Sequence, residues 1–476
     1  MHKKIELKNL KNKEMIFSVL MVINVLIIVF VLLKLNVLPL KYLICVAAIF
    51  GGIAVILILS QLKNKFKLGG KILIILMTIF TVISSWVIVK SNGTLRKIAN
   101  AKDGYAIVYV IVKKDNEANT LENLKDQRLG YSETGETTYV YRALSDVKQE
   151  VSDTLTLVTY KNMNTFIEDF YNNDVDAMLL DESTRATIED EHPDFSSKTK
   201  VIKQFEYKIE EEDLSKNVKV TTEPFNVYIT GIDTYGEITT GGRSDVNMIA
   251  TINPKTKEIL LTSIPRDYYI EQPCQDNQKD KLTHTGFFGV KCTLSSVENF
   301  FGVELNYYAR VNFSSLEKIV NALGGVTVEN PHAFTAYNGL TFKEGTIMLN
   351  GAQALAFSRE RHAFVDGDFE RGRDQMRVLT AIINKITSPS IITNYAGVLD
   401  AIADTFQTNM SEEEIKAIIQ MQLTDMAGWK IKQISVSGTG GTDWTPANGF
   451  DAYVTYPDMD SVNEAKKAIN EIKNLK

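Results

Sequence analysis

Hydrophobic and polar positions fall into three regimes along the chain. Before residue 90 the apolar positions form three runs, at about 15–33, 38–62 and 72–89, with charges confined to their ends. Each run approaches the ~20 residues needed to cross a bilayer. Buried core helices are the alternative, but three such runs in succession favour membrane spans. No small-residue cleavage site separates the first run from the second, which argues against a cleaved signal peptide. Residues 1–90 therefore read as a membrane anchor with three transmembrane helices.

From about 100 the pattern changes to short apolar strands alternating with amphipathic segments. "YAIVYVIVKK" reads as a strand. "NTLENLKDQRLGY" reads as a helix leading into a strand near 128–131, and "NMNTFIEDFYNNDVDAMLLDE" as helix, turn and a short strand at 177–180. This alternation predicts a smaller α/β accessory domain over 100–215. The phrases "LENLKDQRLGY" and "VDAMLLDE" resemble pieces of one lobe of extracellular solute-binding proteins, although a spacer or protein-contact role is the plainer reading. The charged stretch "IEEEDLSKN" reads as a linker. Residues 218–476 mix hairpins with helices, from the strand "FNVYITGID" to the closing helix "SVNEAKKAINEIKNL". That mixture predicts a mixed-sheet α/β or α+β domain, the larger of the two.

Within the larger domain, "TGGRSDVNMIATINPKTKEILLTSIPRD" reads as two strands, 246–252 and 259–264, with charges gathered at the open end. A register symmetric about Lys255 and Thr256 places Asp245 opposite Arg266. Arg243 shares the face of Asp245 if the chain is extended there. Asp233 ends the preceding strand and could approach Asp245. Two carboxylates ~4 Å apart repel by about 4 kcal/mol at an effective dielectric near 20. A hard cation such as Mg²⁺ reverses that penalty; the alternative is two separate solvated loop aspartates. Downstream, "AFSRERHAF" places Arg359 and Arg361 on one side if extended, and "DFERGRDQMRVL" opens a helix with Arg371 and Gln375 on one face. Arg371 in a first turn is unfavourable unless an anion binds there. A solvated charged surface is the bland reading, but arginines and aspartates at element ends point to a phosphate ligand.

Charge and cysteine content refine the picture. The formal net charge of -6 argues against a general nucleic-acid binder. Lysines crowd the N-terminal tail (Lys3, Lys4, Lys8, Lys11, Lys13) and the second loop (Lys63, Lys65, Lys67, Lys71), while the first loop holds Lys34 and Lys41. The positive-inside rule places the N-terminus in the cytoplasm and everything past residue 89 outside the cell membrane. Cys274 and Cys292 would form a disulfide in an oxidising compartment; two unpaired thiols are the alternative. Cys45 lies within an apolar run.

At these residues the chain resembles the LytR–CpsA–Psr family, through "NVYITGID", "GGRSDVNMIATINPKTKEILLTSIPRD", "DKLTHTGFFG", "FSSLEKIVNALGGVTVEN", "LNGAQALAFSRERH" and "DGDFERGRDQ". The triple span and accessory domain look like the capsule-associated streptococcal branch. The resemblance implies an extracytoplasmic phosphotransferase moving a capsular or other glycopolymer from a polyprenyl-pyrophosphate carrier onto peptidoglycan. It implies Mg²⁺, with Mn²⁺ as a substitute, held by Asp233 and Asp245. It also implies pyrophosphate contacts from Arg243, Arg266, Arg359, Arg361, Arg371 and Gln375. Asp233, Asp245, Arg243 and Arg266 form the implied catalytic group. The membrane, the peptidoglycan acceptor and other capsule-assembly proteins are the expected partners, with no nucleic acid. One departure is visible: Glu370 stands where the family often has glycine, and Asp374 precedes Gln375; Arg373 is a candidate to compensate. A pyrophosphatase, or a non-catalytic lipid-carrier receptor regulating capsule synthesis, would need the same arginines.

The lysine asymmetry makes a direct prediction. Protease added to intact wall-stripped cells should digest the chain beyond about residue 90. Full protection of that part would reverse the topology.

Overall fold

The computed structural model describes residues 2–62, 67–99, 103–134, 137–151, 155–210, 214–232, 242–389, 391–403 and 406–475. Three N-terminal helices are long and apolar enough to cross a membrane, over Met15–Leu35, Leu40–Gln61 and Leu68–Arg96. They pack on one another, and Asn24 Nδ2 donates to Thr78 Oγ1 at 2.8 Å between the first and third. The third helix, Lys67–Ala99, runs on past its apolar stretch. Its end carries Leu95 and Ile98, which are buried against Leu399. Lys90 pairs with Asp400 at 2.5 Å and Arg96 with Glu412 at 3.4 Å. Exposed pairs of this kind contribute little on their own. The apolar contact therefore seats the larger unit on this helix.

The smaller unit is built on a five-stranded sheet in the order Thr156–Tyr160, Arg128–Ser132, Ala177–Asp181, Asp103–Lys113, Thr199–Glu210. Helix Thr138–Val151 buries Val140, Ala143, Leu144 and Val147, a helical stripe that packs on one side of the sheet. Helix Met163–Asn172 buries Phe166, Ile167 and Phe170 in a second cluster with Met178 and Leu180. The helix expected in "NTLENLKDQRLGY" is a single 3-10 turn, Leu121–Leu124. Asp126 takes a left-handed backbone with φ 62°, which stops propagation before the strand begins.

The larger unit has a six-stranded mixed sheet in the order Phe406–Thr408, Tyr307–Asn312, Phe225–Ile232, Ser244–Asn253, Glu258–Ser263, Lys430–Ser435. Tyr307–Asn312 runs parallel to Phe225–Ile232, and Lys430–Ser435 parallel to Glu258–Ser263; the central strands form the antiparallel hairpin. Strand alternation divides the hairpin between two cores. Ile249 and Leu260 join Tyr228 under helices Val290–Phe301 and Met459–Asn474. Met248, Ala250 and Leu261 face the other way, against Met376 of helix Gly367–Ile386. That second side carries the cavity described below. The segment "AFSRERHAF" is not extended throughout: Arg359 closes helix Gly351–Arg359. Asn350 caps that helix in a capping box with Gln353, and Ala354, Leu355, Ala356 and Phe357 bury its face, so helix wins over strand.

A disulfide joins Cys274 to Cys292 across a Cα–Cα distance of 5.5 Å, tying the turn Pro273–Gln275 to the start of helix Val290–Phe301. Denatured, non-reduced protein should therefore offer one alkylatable thiol, Cys45. Replacing both bridged cysteines by serine should lower stability by about 3 kcal/mol, since the bridge closes a short loop. Three alkylated thiols before reduction would contradict the bridge.

Candidate functional site

The hairpin register pairs Met248 with Ser263 and Asn253 with Glu258. Continued one turn of the pleat beyond the ladder, it sets Asp245 opposite Arg266. Arg266 Nη1 donates to both Asp245 oxygens at 3.0 Å, and Thr283 Oγ1 donates to Asp245 Oδ1 at 3.0 Å. The backbone beneath this pair is fixed by a buried polar network. Asn247 Oδ1 accepts from Tyr228 Oη at 2.5 Å and from Ser244 Oγ at 2.6 Å, and Asn247 Nδ2 donates to the Ser244 carbonyl at 2.6 Å. Gly286 passes so close that a Cβ there would stand 2.2 Å from the Gly242 carbonyl. Only glycine permits that approach.

Helix Gly367–Ile386 brings the next arginine. Gly372 lies against Ser263, where a Cβ would meet Oγ at 2.6 Å, so the helix start comes close to the end of the hairpin. Arg371 is buried there and pairs with Asp368 at 3.2 Å. Asp368 also lies 3.6 Å from Arg266 Nε and 4.0 Å from Arg361 Nη1, so one first-turn carboxylate gathers three guanidinium groups. Asp368 escaped the sequence reading; its spacing three before Arg371 was the available signal. Asp267, one of the open-end charges of the hairpin but not among the expected site residues, lies 3.6 Å from Arg266.

These groups stand at the mouth of an apolar cavity of about 610 Å³. Its walls come from the sheet (Ile229, Val246, Met248) and from helices Phe313–Ala322, Gly351–Arg359, Gly367–Ile386 and Ile391–Ile402. Asp245, Arg266, Arg359, Arg361, Arg371 and Gln375 all line it. Among the described lining residues four arginines face one carboxylate. Arg359 is held by its guanidinium, 4.0 Å over the Phe313 ring and donating to Tyr337 Oη at 3.0 Å. Gln375 Nε2 donates to the Ser358 carbonyl at 3.3 Å. Val398, Ile402 and Phe406 also line the cavity, and Ile402 and Phe406 pack around the end of the third long helix.

Arg243 takes a different position. It lines a second, polar cavity beside Arg266 rather than the apolar one. Asp233 lies outside the described residues, directly after Ile232, whose register partner is Ser244. Glu370, the departure from glycine, turns aside: it pairs with Arg373 and lies 2.6 Å from Arg377, which also holds Asp374 at 2.5 Å. Arg373 completes this cluster through Asp366 at 3.2 Å and is not among the cavity residues.

Charge states follow from the packing. Burial pushes the Asp245 carboxyl upward, but Arg266, Arg371 and Arg243 overcome it and hold it down at about 2. Burial draws the Arg371 guanidinium down, and Arg266 adds to that. Asp245 is thus an ionised carboxylate at a cationic mouth. No cluster of three or more His, Cys, Asp or Glu ligands occurs among the described residues. Asp245 already accepts from Arg266 on both oxygens and from Thr283 on one, which leaves one of its four lone-pair sites, and an ionised carboxylate oxygen is the donor type that Mg²⁺ takes.

Fold and site define a membrane-anchored α/β domain whose apolar cavity opens at a ring of arginines. The family model described as the LytR_cpsA_psr family matches residues 190–471, and the chain belongs to that family. It is 37% identical over 220 residues to an Enterococcus faecalis protein named polyisoprenyl-teichoic acid–peptidoglycan teichoic acid transferase TagU, a match covering 46% of this chain and 71% of the relative. The Bacillus subtilis protein of the same name is 35% identical over 253 residues, covering 52% and 78%. The crystal structure of B. subtilis TagV covers 54% of this chain and 99% of its own, with 28% identity and a TM-score of 0.45.

Because the Asp245 pKa is depressed on folding, its contribution to stability is complete above the unfolded value near 4 and is lost as pH falls toward 2. Urea unfolding of the unaltered protein should lose about 1 kcal/mol more than Asp245→Asn between pH 5 and pH 3. Parallel curves would show that the pair does not hold the carboxyl down.

Proposed function

We propose that the protein transfers a capsular or other glycopolymer from a polyprenyl-pyrophosphate carrier onto peptidoglycan, on the outer side of the cell membrane. The observation that carries this reading is the apolar cavity with four arginines and Asp245 at its mouth. An isoprenoid tail needs the first part and a pyrophosphate the second, since guanidinium forks match phosphate oxygens. Relatives named as transferases between polyisoprenyl-linked teichoic acid and peptidoglycan support it. The three apolar helices and the lysine asymmetry support the outward placement.

Arg359, Arg361, Arg371 and Gln375 bind the carrier pyrophosphate, and Arg266 orients Asp245 beside it. Asp245 and Asp233 would hold Mg²⁺, which when bound offsets phosphoryl charge as a Lewis acid. The acceptor sugar hydroxyl oxygen bonds to the glycan-side phosphorus, its proton passes to solvent or to the departing phosphate, the bond to the bridging oxygen breaks, and lipid monophosphate leaves with the electron pair. Most catalysis in such a transfer is positioning and charge stabilisation.

Incubating the full-length protein with a polyprenyl-pyrophosphate glycan, peptidoglycan and Mg²⁺ should yield a new covalent linkage. Asp245→Ala should cut the rate on the order of 10²-fold or more and flatten the Mg²⁺ dependence. Arg359→Lys should weaken both lipid binding and turnover, because an ammonium lacks the planar fork that lies over Phe313. Release of free glycan phosphate without linkage would identify a pyrophosphatase; lipid binding without either reaction would identify a receptor.

A further inference from the structure

The polar cavity on the other side of Arg266 has a volume of about 150 Å³ and lies between the two extramembrane units. Arg243, Asp267, Lys281, His284 and Asn448 line it from the larger unit, and Glu191 from the smaller. Its floor is built rather than incidental. The Asp267 and Lys281 side chains are 10% and 15% exposed and stand 3.7 Å apart. His284 is buried, with Nδ1 2.7 Å from Asp280 Oδ1, and Asp280 Oδ2 accepts from the Ala447 backbone at 2.9 Å. The same turn meets the smaller unit, where Asn162 Nδ2 donates to the Gly449 carbonyl at 3.0 Å.

Arg266, held to Asp245, borders both this pocket and the apolar cavity. Asp245 faces the apolar side, Arg266 lines both, and Thr283, which donates to Asp245, lines the polar side. In a displacement at phosphorus the attacking and leaving oxygens lie roughly in line on opposite sides. The leaving oxygen stays with the lipid phosphate, whose tail occupies the apolar cavity. The acceptor hydroxyl therefore approaches from the side away from the tail, where the polar pocket adjoins Arg266. A pocket with charges of both signs, small and lined by hydrogen-bonding groups, suits a neutral or weakly charged polyhydroxyl ring better than a second phosphate.

Resting on the transferase reading, we propose that this pocket is the acceptor subsite and receives one hydroxyl-bearing pyranose of a peptidoglycan strand, with Asp267 and Lys281 bonding its hydroxyls. Burial raises the Asp267 carboxyl and lowers the Lys281 ammonium, so desolvation favours the neutral form of each. The smaller unit then contributes the rim through Glu191, so acceptor choice is shared between the units.

The test separates the two substrates. Full-length protein in nanodiscs is given a polyprenyl-pyrophosphate glycan and soluble uncrosslinked peptidoglycan strands, and KM is measured for each. Glu191→Trp, an exposed rim position, should block the mouth without disturbing the fold, and Lys281→Met should remove a hydrogen-bond donor. Both should raise the strand KM tenfold or more and leave the donor KM within twofold, with copurified lipid reporting an intact domain. Transfer with an unmoved strand KM in both variants, or with an equal rise for donor and strand, overturns the acceptor assignment alone. No transfer by the unaltered protein overturns the proposed function and this assignment with it.

Discussion

Asp245 and Arg266 meet at 3.0 Å across the open end of a hairpin, and the site is arranged around that pair. A buried carboxylate beside buried guanidinium groups survives only because each compensates the other. Removing Asp245 would leave Arg266 and Arg371 with one counter-charge fewer in a poorly solvated place. The pair stands where the hairpin ladder ends and its apolar faces stop. The register that packs Met248 and Ala250 toward Met376 is therefore the same register that aligns the charges. A slip of one residue would bury the wrong face and separate the pair together.

The second constraint is the membrane. The cavity combines arginines with a long apolar lining, and two of its apolar residues, Ile402 and Phe406, pack on the end of the third long helix. A ligand with a charged head and a long apolar tail matches that polarity. Helix Ile391–Ile402 serves two purposes here, as wall of the cavity and as seat on the anchor.

Much of this was legible in the sequence because it rests on period and polarity. Three apolar runs gave the long helices, and alternation through "VNMIATIN" gave a strand with two different faces. What escaped lay in tertiary context. Arg-x-Arg spacing fits a strand and a helix end alike, so it leaves the backbone at Arg359 open; the capping box at Asn350 and Gln353 is the signal that decides for helix. Asp368 and Asp267 looked like ordinary acidic residues until the helix start was brought against the hairpin by Gly372. The polar pocket could not be read at all, because Glu191, Arg243, Lys281 and Asn448 are far apart in sequence.

The departure at Glu370 shows how helix geometry separates two charge clusters. Arg371 and Gln375 are four apart and face the cavity. Glu370, Asp374 and Arg377 follow their own i, i+4 and i+7 spacing and lie on a neighbouring face, where the two carboxylates pair with Arg373 and Arg377. A glycine at 370 would leave Arg373 with Asp366 and Arg377 with Asp374 as their remaining counter-ions. With Glu370 in place each arginine has a second. The positive charge presented to a ligand is then set by Arg266, Arg359, Arg361 and Arg371, against Asp245 and Asp368. That set keeps a net positive charge, which favours an anionic head group without help from Arg373.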